Sequence, residues 1–184
     1  MATPKHRTAP GSSYFVTTKC WEGRHIFQVP EVAGILVRTM LAHRERKAFS
    51  VHEFVVMPNH LHVLITPSYQ TSLEKAVQLI KGGSSHAIHV HTGRNMLIWQ
   101  EGFFDWTIRD LGDWRAKVEY IRNNPVQANL VARVEDWLYS SASGDYSLEP
   151  IPDRYLNLPS GAKAPFLPTR APGLKPRPPK EQSA

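Results

Sequence analysis

Two histidines separated by one residue, His60 and His62, are the first candidates for chemistry in this sequence. They open an aliphatic and β-branched run, residues 60–66, which is typical of a strand. Alternate residues of a strand face the same way, so the spacing predicts two imidazoles on one face of a sheet and Leu61 on the other. Two imidazoles so arranged can hold one divalent ion. The same spacing is typical of two surface or helix-packed histidines, and the pattern alone leaves both interpretations open.

A tyrosine and an asparagine four residues apart, Tyr120 and Asn124, form the second candidate group. Apolar spacing predicts a helix over residues 113–123 that stops before Pro125. Positions i and i+4 of a helix are neighbours, but the stop before Pro125 leaves this geometry open for Asn124. A phenol can attack phosphorus once its proton is removed and a cation draws charge from the phosphate. A half-buried tyrosine beside a capping asparagine fits the same residues.

The elements that must position these side chains alternate between strands and helices. Strands are predicted over residues 13–19, 51–57, 60–66 and 103–109, and helices over 31–47, 73–80 and 113–123. Gly82-Gly83 interrupts or ends the second helix, which resumes over 84–91 if it is only interrupted. The order strand-helix-strand-strand-helix-strand with a closing helix predicts an α+β ferredoxin-like sandwich. That fold is an antiparallel sheet with helices on one face, and the other face is free for the candidate site.

Charge and composition limit the possible functions. The chain has 22 Lys and Arg against 16 Asp and Glu, a net charge of +6, which favours polyanionic partners and nucleic acid first. No run approaches the ~20 apolar residues of a membrane helix, and the N-terminus has no apolar signal core. The single cysteine, Cys20, excludes an internal disulfide framework and a multi-cysteine zinc site. These features predict a cytoplasmic protein with no membrane partner.

The C-terminal part of the chain differs in kind from the rest. From residue 150 onward it contains 9 of the 15 prolines, and residues 151–184 carry 6 Lys and Arg against 2 acidic residues. Proline fixes φ and removes a backbone donor, so this segment is predicted to be extended and flexible. We therefore predict one domain over residues 1–149 and a Pro-rich basic tail over residues 150–184.

Four segments, in order, resemble the single-tyrosine HUH transposases, and most of all their REP-associated branch. They are residues 55–64 (VVMPNHLHVL), 99–105 (WQEGFFD), 108–110 (IRD) and 120–126 (YIRNNPV). The resemblance runs from about residue 14 to residue 141.

The resemblance implies a metal-dependent transposase with the ferredoxin-like fold. It implies nicking and rejoining of single-stranded or hairpin DNA, such as REP-like palindromes, by transesterification through a 5′-phosphotyrosine at Tyr120. It also implies Mg²⁺ or Mn²⁺, with His60, His62 and the amide of Asn124 as ligands. Because imidazoles of ordinary pKa must be neutral to bind metal, activity is expected to fall below about pH 6.

Basic residues near these segments are the candidate DNA contacts. They are Lys81, Arg109, Arg115 and Arg122, of which Arg109 and Arg122 are expected nearest the site. Asn129 stands where relatives often have glycine, and asparagine is the next-best residue for a positive φ. The Pro-rich basic tail resembles the REP-associated branch, which favours a monomer over a swapped dimer.

Two other functions are compatible with the sequence. One is a catalytically silent nucleic-acid-binding module of the same fold, although a pure binder has no need of His60, His62 and Tyr120 together. The other is a metal-dependent hydrolase, for which Asp105 and Asp110 are available as further ligands although no spacing demands them.

Overall fold

The computed structural model describes residues 8–156 and shows an α+β fold built on one antiparallel sheet. The strands are β1 (Tyr14–Lys19), β2 (Phe49–Met57), β3 (His60–Pro67) and β4 (Phe104–Thr107). The helices are α1 (Pro30–Glu45), α2 (Leu73–Thr92), α3 (Leu111–Gln127) and the short α4 (Asp153–Leu156). Single 3-10 turns occur at Trp21–Gly23, Ile26–Gln28, Val134–Asp136 and Ser141–Ser143. The predicted alternation of strands and helices is confirmed.

The sheet has the order β2-β3-β1-β4, which places the histidine-bearing strand inside it. β2 and β3 form the predicted hairpin around Pro58-Asn59, with Met57 opposite His60. On the other side of β3, Lys19 of β1 lies opposite His60 and Thr17 lies opposite His62. Two neighbouring strands therefore fix the direction of both imidazoles. No helix within residues 8–156 is long and apolar enough to cross a membrane.

Helices cover both faces of the sheet rather than one. α1 and α2 pack on the face that carries Leu61, Val63 and Ile65, as predicted. α3 packs on the opposite face, where its Trp114 and Ile121 join a second buried cluster with strand residues of β1, β2 and β3. Residues 61–65 of β3 are all buried, so side chains on both faces of this strand, including His62 and Leu64 on the second face, are covered. The candidate site lies beside α3 on this second face.

α2 is one continuous helix of 20 residues, so the predicted interruption at Gly82-Gly83 is wrong. Ser72 caps it as expected, since its hydroxyl accepts a hydrogen bond from the Lys75 amide at 3.1 Å. A Cβ added at Gly83 would lie 2.8 Å from Cγ2 of Thr39 on α1. Gly83 therefore allows the two helices to approach closely, and this packing outweighs its low helix propensity.

α3 runs through Pro125 to Gln127, so the predicted stop before the proline is also wrong. The Asp110 carboxylate begins the helix by accepting from the Asp113 amide at 2.8 Å. Pro125 is buried and falls in the last turn, so the helix loses one hydrogen bond, to the Ile121 carbonyl, and any bend there displaces few residues. The chain then leaves the helix through Asn129, whose φ of 55° matches the predicted positive value.

A bulge in β2 turns two consecutive polar residues toward α3. The pairing of β2 with β3 shifts between Val51 and Glu53, and His52 is the extra residue. The His52 ring lies 4.9 Å from the Trp114 ring of α3, edge to face. Glu53 faces the same helix, so the bulge supplies two contacts to α3 where a regular strand would supply one.

Glu53 is a buried acidic residue of β2 that binds Arg122 of α3. Only 3% of its side chain is exposed, and it accepts hydrogen bonds from the Arg122 guanidinium at 2.9 and 3.1 Å. The Ser141 hydroxyl donates to its other oxygen. The negative charge is therefore paired and hydrogen-bonded, as a buried carboxylate requires.

The described fold extends beyond the predicted boundary at residue 149. The Glu149 carboxylate bonds the Arg44 guanidinium at 2.7 Å and the Val51 amide at 2.9 Å. Tyr155 is buried, with its hydroxyl donating to the Ile108 carbonyl, although prolines flank this short stretch. Residues 150–156 thus pack against the domain, and residues 157–184 of the predicted tail lie outside the described residues.

Replacing Arg122 with alanine should destabilise the fold by about 3 kcal/mol, because it leaves Glu53 buried without its cation. The matched control is Arg115→Ala on the same helix, which should change the free energy of unfolding little. Urea denaturation of both variants measures the difference. Equal stability of the two variants would show that the Glu53–Arg122 pair does not anchor α3.

Candidate active site

The two histidines of β3 direct their Nε2 atoms toward each other, 3.1 Å apart. Both side chains lie on the α3 face of the sheet, whereas Leu61 between them is fully buried in the α1–α2 core. Two nitrogens that bind one metal ion at about 2.1 Å and at right angles lie ~3 Å apart. The observed separation therefore suits two ligands of a single ion.

Each imidazole is oriented by an oxygen atom on its other ring nitrogen. Nδ1 of His60 donates to Oδ1 of Asn59 at 2.6 Å, which leaves its Nε2 with a lone pair. Nδ1 of His62 lies 2.7 Å from the Thr17 hydroxyl. If the Thr17 hydroxyl accepts a hydrogen bond from Nδ1 of His62, both Nε2 atoms carry lone pairs that one shared cation can bind. If the hydroxyl donates to Nδ1 instead, Nε2 of His62 carries a proton and donates it to Nε2 of His60. Such an oxygen partner behind each ring is the usual support of metal-binding histidines.

Burial keeps both rings neutral at pH 7. It lowers the pKa of His60 to about 4, and the positive charge of Lys19 adds to the effect, while a hydrogen bond with the Asn124 side chain opposes it. Burial likewise lowers the pKa of His62 to about 3, with further contributions from His60, Lys19 and Lys117. Neutral imidazole is the form that binds metal, so the site is ready for a cation well below neutral pH.

Tyr120 lies directly against this pair. Its ring centre is 5.1 Å from that of His62 and 5.7 Å from that of Phe15, and 42% of the residue is exposed. Because α3 continues past Asn124, Tyr120 and Asn124 keep the i, i+4 relation, and the Asn124 side chain reaches His60. The structure thus brings all four predicted catalytic and metal-binding residues to one place.

Within residues 8–156, no group of three or more His, Cys, Asp or Glu side chains is placed to hold a metal ion. A third protein ligand beside His60 and His62 would therefore be of another type, and the Asn124 amide is the available one. Asp105 and Asp110, the further ligands considered for a hydrolase, do not form such a group with the histidines.

Three of the four predicted DNA contacts have partners within the protein. Lys81 donates to the carbonyls of Gln100 and Gly102, both at 2.7 Å, and burial lowers its pKa. Arg109 forms a two-point pair with Asp113 and lies 5.2 Å over the Trp106 ring, near the site.

The other two predicted contacts, Arg115 and Arg122, line a groove on the side of α3 that faces Ile151. Arg122 also holds Glu53, as described above. The structure places neither of them with Tyr120.

Sequence analysis missed two lysines that lie closer to the histidines. Lys117 is one turn before Tyr120, and its Nζ lies 4.9 Å from the Phe15 ring centre and 5.0 Å from that of Trp106. Lys19 lies opposite His60 across the β1–β3 pairing. The signal for Lys117 was its i, i+3 spacing from Tyr120, which puts both on one helix face. No local sequence pattern indicates that Lys19 lies near His60, because this depends on the register between β1 and β3.

Comparison with known proteins assigns the chain that carries this arrangement to a family. The model of the family described as "Transposase IS200 like" matches residues 14–124, a range that includes both histidines, Tyr120 and Asn124. The chain belongs to the IS200-like transposase family. The resemblance found in the sequence is thereby confirmed.

Individual relatives of this IS200-like protein point to the same branch. It is 32% identical over 100 residues to a REP-associated tyrosine transposase of Escherichia coli, covering 54% of this chain and 58% of that protein. It is 27% identical over 119 residues to a putative REP-associated tyrosine transposase of Haemophilus influenzae, covering 59% of this chain and 68% of the relative. The match therefore spans a little over half the length of the Escherichia coli relative.

A solved structure has the same fold as this IS200-like protein. It is a REP-associated tyrosine transposase bound to a REP hairpin, with a TM-score of 0.67 and 26% sequence identity. The superposition covers 79% of this chain and 85% of that chain.

The pKa values of the histidine pair can be tested without metal. We expect His60 and His62 to stay neutral down to about pH 5 in the folded protein, and to titrate near the ordinary value of 6.5 in urea. Stability should therefore fall as the pH drops below 6.5, because the unfolded chain takes up these protons first. NMR of ¹⁵N-labelled imidazoles measures both states. Titration of either ring near pH 6.5 in the folded protein would contradict the burial argument.

Proposed function

We propose that this protein is a REP-associated tyrosine transposase that nicks and rejoins single-stranded or hairpin DNA through Tyr120. The observation that supports it most is the contact between the Tyr120 and His62 rings, 5.1 Å between centres, beside a paired imidazole site. Family membership and the similarity to REP-associated relatives support the same function.

Tyr120 is suited to the nucleophilic role because its side chain is partly exposed at the edge of a buried polar site. In the proposed step its phenolic oxygen bonds to the scissile phosphorus while the bond from phosphorus to the 3′ oxygen breaks. The phenolic proton is lost to solvent and the leaving oxygen gains one, which gives a 5′-phosphotyrosine and a free 3′-OH. One phosphoester replaces another, so rejoining needs no external energy source.

His60, His62 and Asn124 would hold a divalent ion, Mg²⁺ or Mn²⁺. The fit rests on the two Nε2 atoms 3.1 Å apart, the oxygen partners behind both rings, and the Asn124 side chain at His60. When bound, the ion supplies a Lewis acid that withdraws charge from the phosphate. The protein contributes neutral ligands, fixed by neighbouring strands, and a tyrosine fixed by α3.

The substrate class follows from the charge and the relatives. The net charge of +6 suits a polyanion, and the solved relative is bound to a REP hairpin. Because Tyr120 reaches His62 of its own chain, one protein molecule contains a complete site, which favours a monomer acting in cis over a swapped dimer. The proposed action on DNA implies a location in the cytoplasm.

Substituting Tyr120 by phenylalanine should abolish covalent attachment to DNA, because only the nucleophilic oxygen is removed. Labelled hairpin DNA with an unpaired flank is incubated with Mn²⁺ and protein, denatured, and separated on a gel. Tyr69→Phe is the matched control, since Tyr69 is an exposed tyrosine beyond the far end of β3 from His60 and should form the adduct normally.

The same experiment separates the alternatives. DNA binding without an adduct in the unaltered protein would indicate the silent binding module. Cleavage that persists in Tyr120→Phe would indicate a hydrolase that activates water.

Metal binding should depend on the histidine pair. It should also persist to a lower pH than it would at a site made of exposed histidines. His62→Ala is expected to lower Mn²⁺ affinity at least tenfold. The control is His86→Ala, which changes an exposed histidine of α2 and should leave the affinity unchanged. With pKa values of about 4 and 3, proton competition becomes strong only below about pH 5, rather than at the pH of about 6 expected from ordinary imidazoles. Titration followed by Mn²⁺ electron paramagnetic resonance measures both effects.

A DNA cleavage assay in the presence of EDTA tests whether the reaction needs the metal. Full cleavage in EDTA would rule out a role for the metal ion.

A further inference from the structure

The basic residues considered as DNA contacts differ in whether the protein already neutralises them. Arg109 is paired with Asp113, and Arg122 with Glu53. Lys81 is held by two carbonyl oxygens. The charge of each arginine is therefore already balanced within the protein, and two of the three N–H donors of Lys81 are already used.

Lys19 and Lys117 are different. Within residues 8–156, neither ammonium forms an ion pair with a carboxylate. Asp113, the acid one turn before Lys117, is already bound to Arg109. Two charges therefore remain without a counter-charge beside a neutral histidine pair.

The two lysines also lie at opposite ends of the site. Lys117 contacts the ring of Phe15, whereas Lys19 is four residues further along β1 and opposite His60. Four residues of strand span about 13 Å. Along the same stretch of β1, the Phe15 ring contacts Tyr120 and the Thr17 hydroxyl bonds His62. A single DNA strand that follows β1 would thus pass one lysine, the site, and then the other.

We propose that Lys19 and Lys117 bind two different phosphate groups of one unpaired DNA strand, with the scissile phosphate between them. This rests on the proposed function, and it assigns the backbone contacts to residues other than the four basic ones predicted from the sequence. Ammonium groups are point charges that hold phosphates without reading bases. The rings of Phe15 and Trp106 fix the Lys117 ammonium in place, which reduces the entropy that it loses on binding.

The test is the salt dependence of binding to single-stranded DNA carrying a hairpin, with the full chain in a Tyr120→Phe background so that no strand is cut. Each lost phosphate contact should flatten the slope of log K against log salt by about 0.7, so Lys19→Met and Lys117→Met should each lose about 0.7 and the double variant about 1.4. Lys→Arg at either position should restore the slope. Arg115→Met is the matched control, because it removes one positive charge from the side of α3 that faces Ile151.

The outcomes separate this inference from the proposed function. Unchanged slopes in the lysine variants, or an equal loss in Arg115→Met, would overturn the assignment, the latter because it indicates only a general effect of net charge. A covalent adduct in the unaltered protein together with unchanged slopes would overturn this inference alone. Lysine-dependent slopes without any adduct would overturn the proposed chemistry and support the two phosphate contacts.

Discussion

The position of α3 on the sheet depends on one buried carboxylate. Glu53 faces α3 because of the bulge in β2, and its charge is balanced by Arg122, two residues after Tyr120. A rigid helix that is fixed at Arg122 and packed at Ile121 has little freedom to turn. The Tyr120 ring is consequently held on the other side of the helix, against His62. The Glu53–Arg122 pair and the apolar packing of Ile121 therefore set the geometry of the candidate site together.

The site itself combines neutral ligands with fixed positive charge. Burial depresses the pKa values of both histidines, and within residues 8–156 the side chains that bond their rings, Asn59, Thr17 and Asn124, are neutral. Within residues 8–156, Lys19 and Lys117 form no ion pair with a carboxylate, so this face of the sheet can attract phosphate even before a metal ion is bound. This arrangement suits a reaction in which a polyanionic strand must approach a phenol.

The sequence predicts the local patterns well, and it fails where a distant partner decides. Alternation along β3 correctly places His60 and His62 on one face, and i, i+4 spacing correctly pairs Tyr120 with Asn124. Helix-breaking rules fail at Gly83 and Pro125, because close packing on α1 and a position in the last turn outweigh propensity. The partner of Arg122 depends on a bulge 69 residues earlier, which no local pattern indicates.

Identifying the residue that becomes attached to DNA decides whether Tyr120 is the nucleophile. The adduct formed with hairpin DNA is digested with nuclease and trypsin, and the peptides are analysed by mass spectrometry. Because trypsin cleaves after Lys117 and Arg122, the account predicts a nucleotide on the peptide of residues 118–122, linked through a 5′-phosphate to Tyr120. A nucleotide on any other peptide would contradict the account.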